Sequence, residues 1–184
     1  REKLAVALTR YAPEKQLDIM IRLFQTATDT AQLADWRLEI YGEGPEEDAL
    51  RALLQEVDPS GRIRLMGRTV DAGSVLRRAR ISLLTSSFEG FPMSLLEASA
   101  MAVPSLIFAS SPGLRALSAR LHAVSVDPGD DRAFVEQLRH LLSDVGSLEA
   151  VGKRSRQAAA QFSTERVDEM WGSLLTDIET AASR

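Results

Sequence analysis

Cysteine is absent from the 184 residues, which excludes disulfides and thiolate metal sites. That absence fits a cytoplasmic setting. No apolar run approaches the roughly 20 residues that span a bilayer. No secretory signal is visible, since Arg1 leads straight into a charged and then strand-like segment. No initiator methionine stands at the start, so the chain reads as a fragment of something longer. Basic charge is not in excess. A net charge of −4 argues against a nucleic-acid binder, which normally carries a basic face, but leaves room for a local site for one small anion. His122 and His140 stand apart, without a metal-spaced partner, and read as structural. No internal repeat, low-complexity tract or interior linker interrupts the chain, and one domain over 1–184 is the economical reading. What is present is the balance of a soluble globular protein, 45% hydrophobic and 26% charged, at a length sufficient to bury a real core.

Short apolar runs alternate with segments of helical period. Leu4 to Thr9, Trp36 to Tyr41, Ile63 to Met66, Ile81 to Leu84, Ser105 to Phe108 and Ala123 to Val126 read as strands. Glu14 to about Ala31, Glu46 to Val57, Asp71 to Arg78 and Pro92 to Met101 read as helices, and further helices begin near Asp130, Ser147 and Thr164. Leu17, Ile21 and Phe24 share one helical face, as do Leu50, Leu53 and Leu54. Strand–helix alternation with continuous apolar strands implies a Rossmann-like parallel sheet with helices on both faces. In such sheets ligands bind beyond the carboxyl ends of the strands. The residues there are Arg10 with Lys15, Gly42 to Gly44, Gly67 to Thr69, Ser86 to Pro92 and Ser110 to Gly113.

The richest stretch is Thr85 to Ala98. A strand ends, a loop containing Gly90 turns, and a helix starts with Pro92 at a tolerated first-turn position. A helix N-terminus offers free N–H groups and a positive dipole end, which suit a phosphate. Glu89 precedes the helix, and Glu97 lies about five residues into it, roughly 8 Å along the axis. The two carboxylates can bracket a phosphate-bearing ligand and accept from hydroxyls on either side. On spacing alone the plainer reading is a surface loop acid and a solvated helix residue. Gly42-Glu43-Gly44 lacks the third glycine of a dinucleotide fingerprint and by itself is a turn.

The string E-G-F-P-M-S-L-L-E-A, with A-M-A-V-P close behind, resembles the signature of glycosyltransferase family 4, retaining enzymes of the two-domain GT-B architecture. That signature is two glutamates separated by seven residues, matched by Glu89 and Glu97. L-T-R-Y-A-P-E-K-Q-L-D, L-E-I-Y-G-E-G-P, I-R-L-M-G-R-T-V and V-D-P-G-D-D resemble further family segments in the expected order. Nearly the whole chain is covered, and only by the C-terminal, donor-binding half.

The resemblance implies roles by position. Arg10 and Lys15 grip the donor diphosphate, and Glu89 faces the transferred sugar; these three would carry the chemistry. Glu97 accepts from the ribose hydroxyls. The backbone of Gly90, Phe91 and Met93 lines sugar and phosphates, that of Gly67, Arg68 and Thr69 meets the base, and Gly42 and Gly44 lie beside the nucleotide. The implied reaction is transfer of a hexosyl group from a nucleotide sugar, a UDP-sugar, without metal or other cofactor. The acceptor is a glycan, a lipid or a protein. The implied partner is an N-terminal domain of the same protein, without which the chain binds donor but does not transfer. The final helix, about 164–182, is expected to pack toward that domain and leave apolar residues around Trp171 and Leu175 uncovered; Phe162, Leu174 and Ile178 read as packing residues. Peripheral attachment to the inner face of a membrane would come through the same domain. Thr9 and Gln16 stand where the family commonly has glycine, and A-S-S-P-G-L-R-A-L-S-A-R-L is a compact connection lacking the family's glycine pair. Alternatives are a non-catalytic nucleotide-sugar-binding module, a GT-B-type epimerase, whose carboxylate and histidine set is not found here, and an interaction domain, which leaves the Glu89–Glu97 string unexplained.

Overall fold

A computed structural model describes residues 1–182. Six parallel strands form one sheet: β1 (Leu4–Leu8), β2 (Arg37–Tyr41), β3 (Ile63–Gly67), β4 (Ile81–Leu84), β5 (Ser105–Phe108) and β6 (Val124–Val126). Their order is β3-β2-β1-β4-β5-β6. The central strands are buried along nearly their whole length because helices cover both faces. Successive side chains serve opposite layers. Ala5 and Ala7 of β1 face one core with Leu38, Ile40, Leu83 and Phe108, while Leu4 and Val6 face the other with Val75, Leu76 and Ala98.

The first layer is α1 (Leu17–Thr28), α2 (Glu47–Val57) and α6 (Asp131–Ser143). Met20, Ile21 and Phe24 of α1 meet Phe134, Leu138 and Leu142 of α6 at helical spacing. Arg139 on α6 donates to the carbonyls of Thr26 and Ala27, satisfying the C-terminal turn of α1. The second layer is α3 (Ala72–Arg78), α4 (Met93–Ala100), α5 (Pro112–Arg120) and α7 (Val145–Ala159). Gly152 of α7 sits so close to the turn after α4 that a Cβ would lie 2.4 Å from the carbonyl oxygen of Ala102.

The strands lie within a residue or two of where the apolar runs put them; β1 ends at Leu8, one residue short. Two elements differ. The segment expected as one helix from Glu14 begins as a 3-10 turn, Pro13–Lys15, and breaks at Gln16, whose φ is 49°, before α1 starts at Leu17. That left-handed conformation explains why glycine suits this position. Second, α5 occupies the compact connection, where no helix was expected. Ser111 caps it by accepting from the Leu114 amide at 3.1 Å, and Pro112 takes the first-turn position. The last helix, α8 (Thr164–Ala182), lies where it was expected and touches the body chiefly through the turn Ala160–Phe162. Val167, Met170, Trp171, Leu174, Leu175 and Ile178 are exposed along it, as expected for the set around Trp171. His122 follows the end of α5. It takes the left-handed position after α5, where its amide bonds Ala119 and that of Ala123 bonds Ser118.

Candidate functional site

The strand order reverses direction between β1 and β4, which places a crevice beyond their carboxyl ends. Two loops meet there. After β1 come Thr9, Arg10, Tyr11 and the 3-10 turn; after β4 comes Thr85 to Pro92. Tyr11 anchors the first loop. Its ring is fully buried, its hydroxyl donates to the Ile40 carbonyl at 2.8 Å, and the Gly67 amide donates to it at 3.3 Å. Burial pushes the Tyr11 phenol upward in pKa.

At the junction Lys15 Nζ donates to Glu89 Oε1 at 2.9 Å, with side chains only 14% and 11% exposed. Sequence reasoning put one of these on the diphosphate and the other on the sugar; the structure brings them into one ion pair. Ser86 Oγ donates to the same carboxylate oxygen at 2.7 Å. The backbones are joined as well. The Ser87 amide donates to the Glu14 carbonyl at 2.8 Å, and Thr85 Oγ1 lies 3.0 and 3.1 Å from the carbonyl oxygens of Lys15 and Gln16. Arg10 points elsewhere. Its guanidinium is 75% exposed and pairs with Glu14 Oε1 at 2.7 Å.

The β4 loop leads into α4 at Pro92, which offers no side-chain cap. The amides of Met93 and Ser94 find no acceptor among the described residues, while the Leu95 amide turns back to Pro92. α3, α5, α6 and α7 are each capped by Asp or Ser. The first turn of α4 therefore presents free donors at the dipole's positive end. Glu97 is exposed on the same helix, without a side-chain partner among the described residues. Phe91 and Met93 are about half exposed, Gly90 has open space around it, and the Phe91 ring lies 6.2 Å from that of Phe162.

Beyond β1, β2 and β3 a cleft of about 360 Å³ is lined by Thr9, Arg10, Gly42, Glu43, Arg68 and Thr69, among others. It gathers four of the residues expected around the nucleotide. Gly42 and Gly44 have a packing reason. A Cβ on them would lie 1.8 Å from the Thr9 carbonyl oxygen and 2.3 Å from that of Tyr11. Gly67 takes a φ of 73° and accepts from the Gly42 amide at 2.9 Å. Arg68 reaches Glu43 only at 3.9 Å, with both side chains mostly in water. A separate cleft of about 600 Å³ lies beside Ser110, Ser111 and Arg115.

Sequence reasoning placed Thr85 and Ser86 in the richest stretch but gave neither a role, and it gave none to Glu14 and Tyr11. The available signal was three consecutive hydroxyl residues, Thr85 to Ser87, at the end of a buried strand. Among the described residues no cluster of three or more His, Cys, Asp or Glu is placed to hold a metal, and no helix is long and apolar enough to cross a membrane.

Comparison with known proteins gives this geometry its relatives. The GtfA subunit of the UDP-N-acetylglucosamine–peptide N-acetylglucosaminyltransferase of Streptococcus gordonii is 31% identical over 181 residues, covering 94% of this chain and 35% of that protein. An exopolysaccharide phosphotransferase of Streptomyces coelicolor is 28% identical over 178 residues, covering 96% of this chain and 19% of that protein. The chain thus spans between a fifth and about a third of the length of these relatives. Among solved structures, S. aureus TarM with fondaparinux, alpha-GlcNAc-glycerol and UDP superposes with a TM-score of 0.85 at 20% identity, covering 94% of this chain and 35% of that one. The GtfA/B complex superposes at 0.81 with 28% identity, covering 97% and 36%. The architecture is that of a GT-B glycosyltransferase C-terminal domain. A model of the family described as glycosyl transferases group 1 matches residues 1–158, and the chain belongs to that family.

Proposed function

We propose that this chain is the donor-binding part of a retaining glycosyltransferase that moves a hexosyl group from a UDP-sugar to an acceptor. The observation that carries the reading is the Lys15–Glu89 pair at the reversal of strand order, beside the uncapped start of α4. Lys15 has two further N–H donors, and the amides of Met93 and Ser94 are free. Together they form a cradle for a diphosphate. Arg10 joins it by leaving Glu14, an exchange that is easy because that exposed pair is worth little in water. Negative charge grows on the diphosphate as the glycosidic bond breaks, and these fixed donors stabilise it as it forms.

Glu89 accepts from the transferred sugar, and Glu97, exposed and unpaired among the described residues, accepts from the ribose. The base lies in the cleft lined by Gly42, Arg68 and Thr69. The chemistry uses no metal. UDP as the carrier is supported by relatives whose names specify UDP-N-acetylglucosamine or whose structures hold UDP. Transfer requires an acceptor held against the anomeric carbon, and positioning of that kind is worth about 7–11 kcal/mol. A second domain of the full-length protein supplies it, with the apolar face of α8 toward that domain.

The test is an assay of the full-length protein with UDP-sugars and an acceptor panel, beside this chain alone. Transfer by the full-length protein only, with the anomeric configuration retained in the product by NMR, is the expected result. Equal rates for both, or an inverted product, would contradict the reading.

A further inference from the structure

The hydroxyl run Thr85-Ser86-Ser87 closes β4, and each hydroxyl serves a different group. Thr85 holds the backbone at Lys15 and Gln16, and Ser87 Oγ lies 3.2 Å from the Glu14 carbonyl oxygen. Ser86, 1% exposed, holds the Glu89 carboxylate itself at 2.7 Å. From the other side Ser111 Oγ donates to the Glu89 carbonyl at 3.2 Å. Glu89 is therefore gripped at its main chain and at Oε1, which takes both Ser86 and Lys15, while Oε2 has no partner among the described residues. The torsion carrying a carboxylate is broad and soft, and a lysine on a flexible four-carbon stem does not fix it alone. A serine on a buried strand end does.

We propose that Ser86 is a positioning residue: by pinning Oε1 of Glu89 it leaves Oε2 as the acceptor aimed at the donor sugar. An ionised carboxylate oxygen accepts only, so it selects a hydroxyl or amide N–H of the sugar and disfavours an anionic substituent there. The inference rests on the donor-binding reading given above. It adds that sugar recognition depends on a residue that touches neither sugar nor phosphate.

The experiment is calorimetric titration of the full-length protein with UDP, UDP-glucose and UDP-N-acetylglucosamine. The variants are Ser86→Ala, Glu89→Gln and the two combined, with Ser86→Cys as a second probe of the lost donor. Ser86→Ala should leave UDP affinity within about twofold and weaken the UDP-sugar about tenfold, the lower end of the loss for one hydrogen bond to a charged group. In the Glu89→Gln background the same change should add less than about twofold, because the one amide oxygen stays with Ser86 and Lys15 and the group left facing the sugar is an N–H donor, so Ser86 has no acceptor to aim. Ser86→Cys should shift the ratio in the same direction. Equal weakening of UDP and UDP-sugar, or an undiminished effect in the Glu89→Gln background, would make Ser86 a general support of the loop and overturn the inference alone. Failure of the unmodified protein to bind UDP or either UDP-sugar would remove the donor-binding reading and this inference with it.

Discussion

Replacing Glu89 by glutamine should strengthen binding of free UDP while weakening use of a UDP-sugar. In the unliganded site the ammonium of Lys15 is held by the Glu89 carboxylate at 2.9 Å, with both side chains largely out of water. A diphosphate arriving there must compete with that carboxylate for the same cation. Glutamine keeps the shape and can still accept from Ser86 and Lys15, but the bond to Lys15 loses its charge on the acceptor side. The bond stays charge-assisted through the Lys15 ammonium, so what is lost is the ion-pair attraction, about 1 kcal/mol for a pair that water still reaches. That difference corresponds to about a fivefold gain in UDP affinity. Removal of a negative charge close to the phosphates acts in the same direction. The sugar moiety, in contrast, loses its charged acceptor, so turnover should drop and the preference for UDP-sugar over UDP should shrink. Calorimetry of the full-length protein with both ligands, beside a turnover assay, measures all three quantities. A tenfold loss of UDP affinity would show that Glu89 contacts the nucleotide itself and would refute the reasoning.

Other consequences concern the scaffold of the site. Gly42→Ala puts a Cβ 1.8 Å from the Thr9 carbonyl oxygen, where only backbone can give way. It should cost about 3 kcal/mol in urea denaturation, the upper range for overpacking, whereas Gly113→Ala, which meets open space, should be neutral or slightly stabilising. Arg78→Met removes a guanidinium from Glu39, a carboxylate with a 7% exposed side chain that then keeps, among the described residues, the Tyr41 hydroxyl alone. A loss of about 2 kcal/mol is expected, below the value for a fully buried pair because Arg78 is partly in water. An unchanged denaturation midpoint would mean that Glu39 is hydrated. Burial raises the phenol pKa of both Tyr11 and Tyr41, with a hydrogen bond to Glu39 adding to the second. Above about pH 10 the unfolded tyrosines ionise while the folded ones stay protonated. The native state then binds more protons, so stability should fall as pH rises through that range, and less steeply in Tyr41→Phe. Equal slopes in a pH series of melting curves would contradict the assignment.

The sheet was legible because strands covered on both faces are short continuous apolar runs, and Ile81–Leu84 and Ser105–Phe108 carry that signal without ambiguity. The hidden helix α5 is a different case. Its sequence begins A-S-S-P-G, which reads as a loop, and its buried positions Leu114, Leu117 and Ser118 form a narrow stripe that includes a polar residue. The Ser111 cap and Pro112 that start it stand beside Gly113, which favours a turn. The break at Gln16 had one sign, its place where the resembled family commonly has glycine, but glutamine itself marks no left-handed turn and the conformation is imposed by the packing around it. At the site, the strand-end rule placed Lys15 and Glu89 at one edge. Their ion pair needed coordinates, because residues 74 apart in sequence meet only through the order of the strands. The same applies to Tyr11, whose hydroxyl reaches β2 and β3 from the loop after β1.

The central claim is that the loops after β1 and β4 receive the diphosphate of the donor. A crystal structure of the full-length protein with UDP tests it most directly. The account predicts the diphosphate at hydrogen-bond distance, about 3 Å, from Lys15 Nζ and from the amides of Met93 and Ser94. It also predicts Arg10 released from Glu14, the ribose hydroxyls on Glu97 and the uracil beside Arg68 and Thr69. UDP bound elsewhere, such as the cleft beside Ser111 and Arg115, with the Lys15–Glu89 pair untouched, would contradict it.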